Sequence, residues 1–136
     1  MDINKIIYFL ILAVVSSSFT SVNSTIIAAN ATYYSTYTPS ACFGDEDRGS
    51  MVVALNPDSF NFSLCGKFIR VQCAFGMVQP EPCRVDRSFY VTAEIVHICP
   101  PAICPGSTDI ALSEQLYTAL IDLNKAEYMK VYYELE

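Results

Sequence analysis

Three kinds of residue in this chain are equipped for chemistry: cysteines, carboxylates and a single imidazole. The cysteines are Cys42, Cys65, Cys73, Cys83, Cys99 and Cys104. A thiol set of that size either holds a metal or forms disulfides. Zinc sites favour tight Cys-x-x-Cys pairs, often with histidine. This chain has no such pair, and its one histidine is His97. No metal and no other cofactor is expected. A Ser-His-Asp triad would have to use His97, and no Gly-x-Ser-x-Gly turn supplies a nucleophile. Recognition of sugars needs flat aromatic platforms with polar edges. Tyr33, Tyr34, Tyr37, Phe43 and Tyr90 are candidates, and there is no tryptophan. Aromatic side chains in strands more often fill a core or pair across strands.

Which thiol chemistry applies depends on the compartment, and the N-terminus speaks to that. Lys5 precedes an unbroken apolar run, Ile6 to Val15, and then a small-residue stretch, SSSFTSVNS. Charge, apolar core and small residues in that order read as a secretory signal peptide over residues 1–24, cleaved after Ser24. The run is half the length of about twenty residues that a spanning helix needs, so no membrane span is expected. Residues 25–136 then form one extracellular domain. In an exported chain an even cysteine count implies a disulfide frame. Of the fifteen pairings open to six cysteines, the local one is expected: Cys42 with Cys65, Cys73 with Cys83, Cys99 with Cys104. In the chain-entropy model these loops contribute roughly 3.4, 2.8 and 2.2 kcal/mol. Their sum, roughly 8 kcal/mol, rivals the whole stability of a small domain. Export also opens three sequons to glycosylation: Asn23, which leaves with the signal peptide, Asn30 and Asn61. The formal charge of −6 and the scattered basic residues argue against nucleic acid as a partner. A monomer is expected.

The elements that must position these residues are mostly strands. Ile26 to Tyr34 is apolar and aromatic and ends before Thr38-Pro39-Ser40. Met51 to Leu55 is a short buried strand after the charged turn Gly44 to Ser50. Lys67 to Cys73 alternates, and Ser88 to Ile98 is rich in β-branched and aromatic residues. Met77 to Asp86 and Cys99 to Ser107 carry prolines and read as loops. Leu112, Leu116, Leu120 and Leu123 have helical spacing, with Ser113 as N-cap and Glu114 at the positive end of the helix dipole. Met129 to Leu135 alternates again, as a half-buried last strand. Strands with one short late helix and no βαβ rhythm give an all-β fold, a small barrel of mostly antiparallel strands.

The motifs ATYYSTYTPSACFG (Ala31 to Gly44), CGKFIRVQC (Cys65 to Cys73), Pro82-Cys83, EIVHICPPAIC (Glu94 to Cys104) and Leu112-Ser113 before a helix resemble the plant natriuretic peptide group. That group carries an endoglucanase-45-like domain related to domain 1 of expansins. The resemblance spans nearly all of residues 25–136. It implies a six-stranded double-psi β-barrel with one short α-helix before the last strand, and the same three local disulfides. It implies secretion to the apoplast and a role in water and ion balance or in stress and defence. The active stretch of the natriuretic peptides corresponds to Thr36 through Lys67. The cellulose-binding second domain of expansins is expected to be absent. The partner is expected to be an extracellular receptor or a wall polysaccharide.

The same resemblance bears on catalysis. Hydrolytic relatives use a carboxylate acid and a carboxylate base with a water between them. The base position, after Tyr33-Tyr34, is Ser35 here. The acid position, before Leu-Ser, is Ala111, with Asp109 two residues earlier. The chain is therefore expected to be no enzyme. Tyr34, Tyr37 and Asp109 are the residues expected to line a glycan groove. His97 stands where relatives often carry an acid. It is read as a barrel-end histidine bonded to the backbone, able to titrate near neutral pH.

Overall fold

The computed structural model describes residues 25–86 and 88–136. The expected signal peptide and the Asn23 sequon lie outside the described residues. Six strands close a barrel: β1 (Ile27–Tyr34), β2 (Val52–Leu55), β3 (Phe68–Cys73), β4 (Val91–Ile98), β5 (Ile110–Ser113) and β6 (Met129–Leu135), in the order β1-β5-β2-β4-β3-β6. β1 with β5 and β2 with β4 are parallel; the other four pairings are antiparallel. This mixed closed sheet is the double-psi arrangement, and closure leaves no free edge.

Sequence alternation sends every second side chain inward. Val53, Leu55, Ile69, Val71, Ile95, Ile110, Leu112 and Val131 fill the interior, all nearly or fully buried. One helix, α1 (Glu114–Leu120), is laid against this core through Leu116, Tyr117 and Leu120. Ser113 caps it as expected: its Oγ accepts from the Leu116 amide at 3.2 Å. The expected leucine stripe is shorter than its spacing suggested. Leu112 belongs to β5 and Leu123 follows the helix, so seven residues are helical.

β5 is the element that the residue pattern did not show. Its four residues, IALS, are all buried. A strand covered on both faces loses the alternation that marks a half-buried one. Its outer face meets a second, smaller cluster of Ala54, Cys99, Cys104 and Ala111, covered by Tyr34, Tyr37 and Ile103.

The three disulfides are the local ones: Cys42–Cys65, Cys73–Cys83 and Cys99–Cys104, with Cα separations of 5.4, 5.7 and 5.8 Å. Among the described residues no helix is long and apolar enough to cross a membrane.

Candidate functional site

The residues after β1 and the start of α1 meet at one end of the barrel. Parallel pairing of β1 with β5 sets Tyr34 beside Ser113 there. Ser35, Thr36, Tyr37 and Thr38 leave β1, while Ser113 and Gln115 lie where β5 passes into α1. Asp47, Gly49, Ser50 and Val52, from the approach to β2, complete the lining of a cleft of about 400 Å³. The walls are joined by specific bonds. The Ser113 hydroxyl donates to the Ser50 carbonyl and also caps α1. The Gly49 amide donates to Asp47 Oδ1 at 2.8 Å. Gly49 has a φ of 93°, a conformation that glycine takes without strain. Among the lining residues Asp47 carries the only formal charge; hydroxyl and amide groups supply the other polar side chains.

Behind the cleft lies Ala111, the position at which the resemblance leads one to expect an acid. Ala111 is fully buried in the small apolar cluster with Ala54 and the Cys99–Cys104 pair. The Tyr37 ring covers it, and the Tyr37 hydroxyl donates to the Ala111 carbonyl at 2.8 Å. Burial holds the Tyr37 phenol far above its ordinary value, with Tyr34 adding to the shift, so this hydroxyl stays protonated. Tyr34 stands edge-on to Tyr37, with ring centroids 5.3 Å apart. Ser35, at the base position, is exposed on the cleft wall.

The residues expected to line a groove are therefore not all together. Tyr37 lines the cleft and Tyr34 backs it. Asp109 precedes the opposite end of β5, where its Oδ2 accepts from the Asn30 amide at 2.8 Å. Its Oδ1 accepts from Asn56 Nδ2 at 3.4 Å. Its backbone also binds both neighbours, donating to the Asn30 carbonyl at 2.8 Å and accepting from the Asn56 amide at 2.9 Å. Asp109 ties the entries to β1 and β5 to the exit of β2.

His97 sits on β4, its Nδ1 accepting from the Ala41 amide at 2.8 Å. That bond needs an unprotonated Nδ1, and burial lowers the imidazole pKa accordingly. Of the sequons, Asn30 is exposed on β1, with Nδ2 donating to the Ser107 carbonyl at 3.0 Å. Asn61 is exposed and caps the short 3-10 turn Phe62–Leu64, its side chain accepting from the Ser63 amide. Tyr33, a candidate sugar platform by residue type, packs against Tyr117 with centroids 5.5 Å apart and belongs to the core margin.

Two features of the candidate site have no signal in the sequence. One is the Ser50, Ser113 and Gln115 wall, which depends on β5. The other is a two-pronged ion pair from Arg48 to Glu94, with both N–O distances 2.8 Å. Arg48 lies in a turn that read only as charged.

Barrel and disulfides together define a six-stranded double-psi β-barrel domain that is similar to an EG45-like protein in sequence and to an expansin in fold. No protein-family model matches the chain. A curated relative, an EG45-like domain containing protein from Citrus jambhiri, is 36% identical over 85 residues, covering 60% of this chain and 62% of that one. The chain thus spans less than two thirds of that relative. Among solved structures, a mutant Clavibacter michiganensis expansin in complex with cellohexaose superposes with a TM-score of 0.59. It is 20% identical, covering 82% of this chain and 50% of that one, and it shows the likeness of fold.

Proposed function

We propose that this is a secreted extracellular protein that binds a wall polysaccharide in the Ser35–Ser113 cleft and does not cleave it. The observation that carries this reading is the pairing of an open, hydroxyl-rich cleft with an apolar plug at the acid position. A sugar chain offers hydroxyls to Ser35, Thr36, Thr38, Ser50 and Gln115, and an apolar face to Tyr37. The cellohexaose in the similar expansin supports a glycan as the ligand class. The disulfide frame fits an oxidising, extracellular setting such as the apoplast. Hydrolysis would need a second carboxylate across the cleft from Asp47. The described lining supplies none.

The test uses the oxidised protein with washed cellulose and pectin fractions and with soluble cellohexaose. Expected results are sedimentation with a wall fraction, no release of reducing sugar, and weakened binding in a Thr36→Ala/Gln115→Ala double variant. Both side chains are exposed, so the fold should persist. Failure of the wild type to bind any wall fraction removes this reading.

A second reading is natriuretic-peptide-type signalling in water and ion balance or stress. One observation favours it: residues 44–51, inside the Thr36 to Lys67 stretch, are all exposed and stand beside the Cys42–Cys65 bridge. Protoplast swelling in response to the purified protein, lost when that stretch is scrambled, is the expected result. Swelling that survives scrambling refutes it.

A further inference from the structure

Glu94 is a carboxylate in the middle of β4, only 5% exposed and flanked by Ala93, Ile95 and Val96, each 1% exposed. A charge there is costly unless paired. Its partner comes from the exposed loop at residues 44–51. Arg48 Nε donates to Oε1 and Nη2 to Oε2, both at 2.8 Å, and Nη1 reaches Glu46 Oε1 at 3.1 Å. The guanidinium also lies 4.2 Å from the Phe43 ring centroid. Phe43 is itself fixed. It follows Cys42 of the Cys42–Cys65 bridge, and a Cβ at Gly66 would approach its ring to 3.4 Å. Apolar residues in place of such a pair often leave stability unchanged or improved. What the pair adds is a defined place for the loop.

That place bears on the cleft. Asp47, Gly49 and Ser50 line it, while Arg48 lines an adjoining concavity with Met51, Phe68, Thr92 and Glu94, and Asp47 and Ser50 border both. We propose that Arg48 is a positioning residue: gripped by Glu94 and laid on Phe43, it fixes the Asp47–Ser50 wall against which a glycan lies. The inference rests on the glycan reading of the cleft. Arg48 holds one point of the loop and the Ser113–Ser50 bond holds the next. Neither bond involves ligand, so the wall is preformed.

The test uses the full oxidised chain with Arg48→Ala, Arg48→Lys and Glu94→Gln. Backbone order parameters for residues 46–50 should fall in Arg48→Ala from the rigid range of about 0.85 towards 0.6, with β3 and β6 unchanged. Affinity for cellohexaose should fall on the order of tenfold, because re-ordering even one backbone residue on binding costs about that much. Arg48→Lys keeps the charge but not the fork and should recover part of both. If Arg48→Ala does not fold, Arg48→Lys and Glu94→Gln carry the test, with smaller shifts in the same direction. Unchanged order parameters overturn the grip, and a loosened loop with unchanged affinity overturns the positioning role. If the wild type binds no cellohexaose, the glycan reading falls, and the order parameters alone decide whether the pair holds the loop.

Discussion

Asp109 is the residue on which a catalytic and a structural account differ most sharply. As an acid it would have to face a substrate. In the structure its carboxylate is engaged by the Asn30 amide at 2.8 Å and by Asn56 Nδ2 at 3.4 Å. Asp109→Ala removes a charged acceptor from a backbone N–H. Such bonds contribute about 1.5–3 kcal/mol. The Asn56 contact is long and the site is partly open to water, so screening brings this down to about 1–2 kcal/mol. At about 4 °C per kcal/mol for a domain of this size, the melting temperature should fall by about 4–8 °C. Asp109→Asn keeps an oxygen that can accept from the Asn30 amide, and should cost less than half as much. Thermal melts followed by circular dichroism, with reducing-sugar assays on the same samples, separate the accounts. The structural one predicts a graded loss of stability and no sugar release by any form. An Asp109→Ala melt within about 1 °C of wild type, or wild-type hydrolysis that vanishes in Asp109→Asn, would refute it.

Three further outcomes follow from the same geometry. His97 Nδ1 accepts from the Ala41 amide, and burial depresses the imidazole pKa below the ordinary 6.5. The unfolded chain therefore takes up this proton first on acidification. The contribution is complete above pH 6.5 and is lost as pH falls through the folded-state pKa. His97→Gln should flatten that part of a stability–pH curve, and an unchanged curve would count against the Ala41 bond. Ala111→Asp would place an unpaired carboxylate under Tyr37, costing about 3–5 kcal/mol; urea titration should show this loss, and full stability with new hydrolysis would mean that the plug yields easily. Reduction of all three disulfides should abolish the cooperative melt near room temperature, since about 8 kcal/mol of loop closure is comparable with the total stability. Persistence of the native melt in excess dithiothreitol would contradict that.

The sequence was legible where a residue's role is local. Strands with one wet face announce themselves by alternation: Phe68 to Cys73 reads exposed, buried, exposed, buried. Ser113 announces the start of α1 because capping is a contact between near neighbours. The disulfides were accessible as the shortest loops. β5 was not legible, because Ile110–Ser113 is buried on both faces and so short that Leu112 could be counted into the helix that follows. Missing β5 hid the cleft, since the wall at Ser113 and Gln115 exists only where β5 turns into α1. Arg48 and Glu94 are 46 residues apart, and nothing in either segment names the other.

The placement of Asp109 and Ala111 carries this one step further. The two residues are neighbours but one apart, yet β5 sends them to different fates. Asp109 lies before the strand, at its Asn30 end; Ala111 lies within it, facing the outer apolar cluster. For Asp109 to act in the cleft, β5 would have to slide along β1 and β2. A shift of one residue turns every side chain of a strand to the opposite face. Bringing Asp109 to the place of Ala111 takes a slide of two residues, which keeps the faces but breaks the pairing of Ile110 and Leu112 with β1 and β2, so that Leu112 leaves its place beside Tyr33 and Val53 and the polar Thr108 takes that of Ile110. The interior packing of β5, more than the loop before it, keeps this carboxylate away from the cleft. A change of sequence that turned an acid towards the cleft from β5 would therefore have to put it at position 111 and clear Tyr37 from above it.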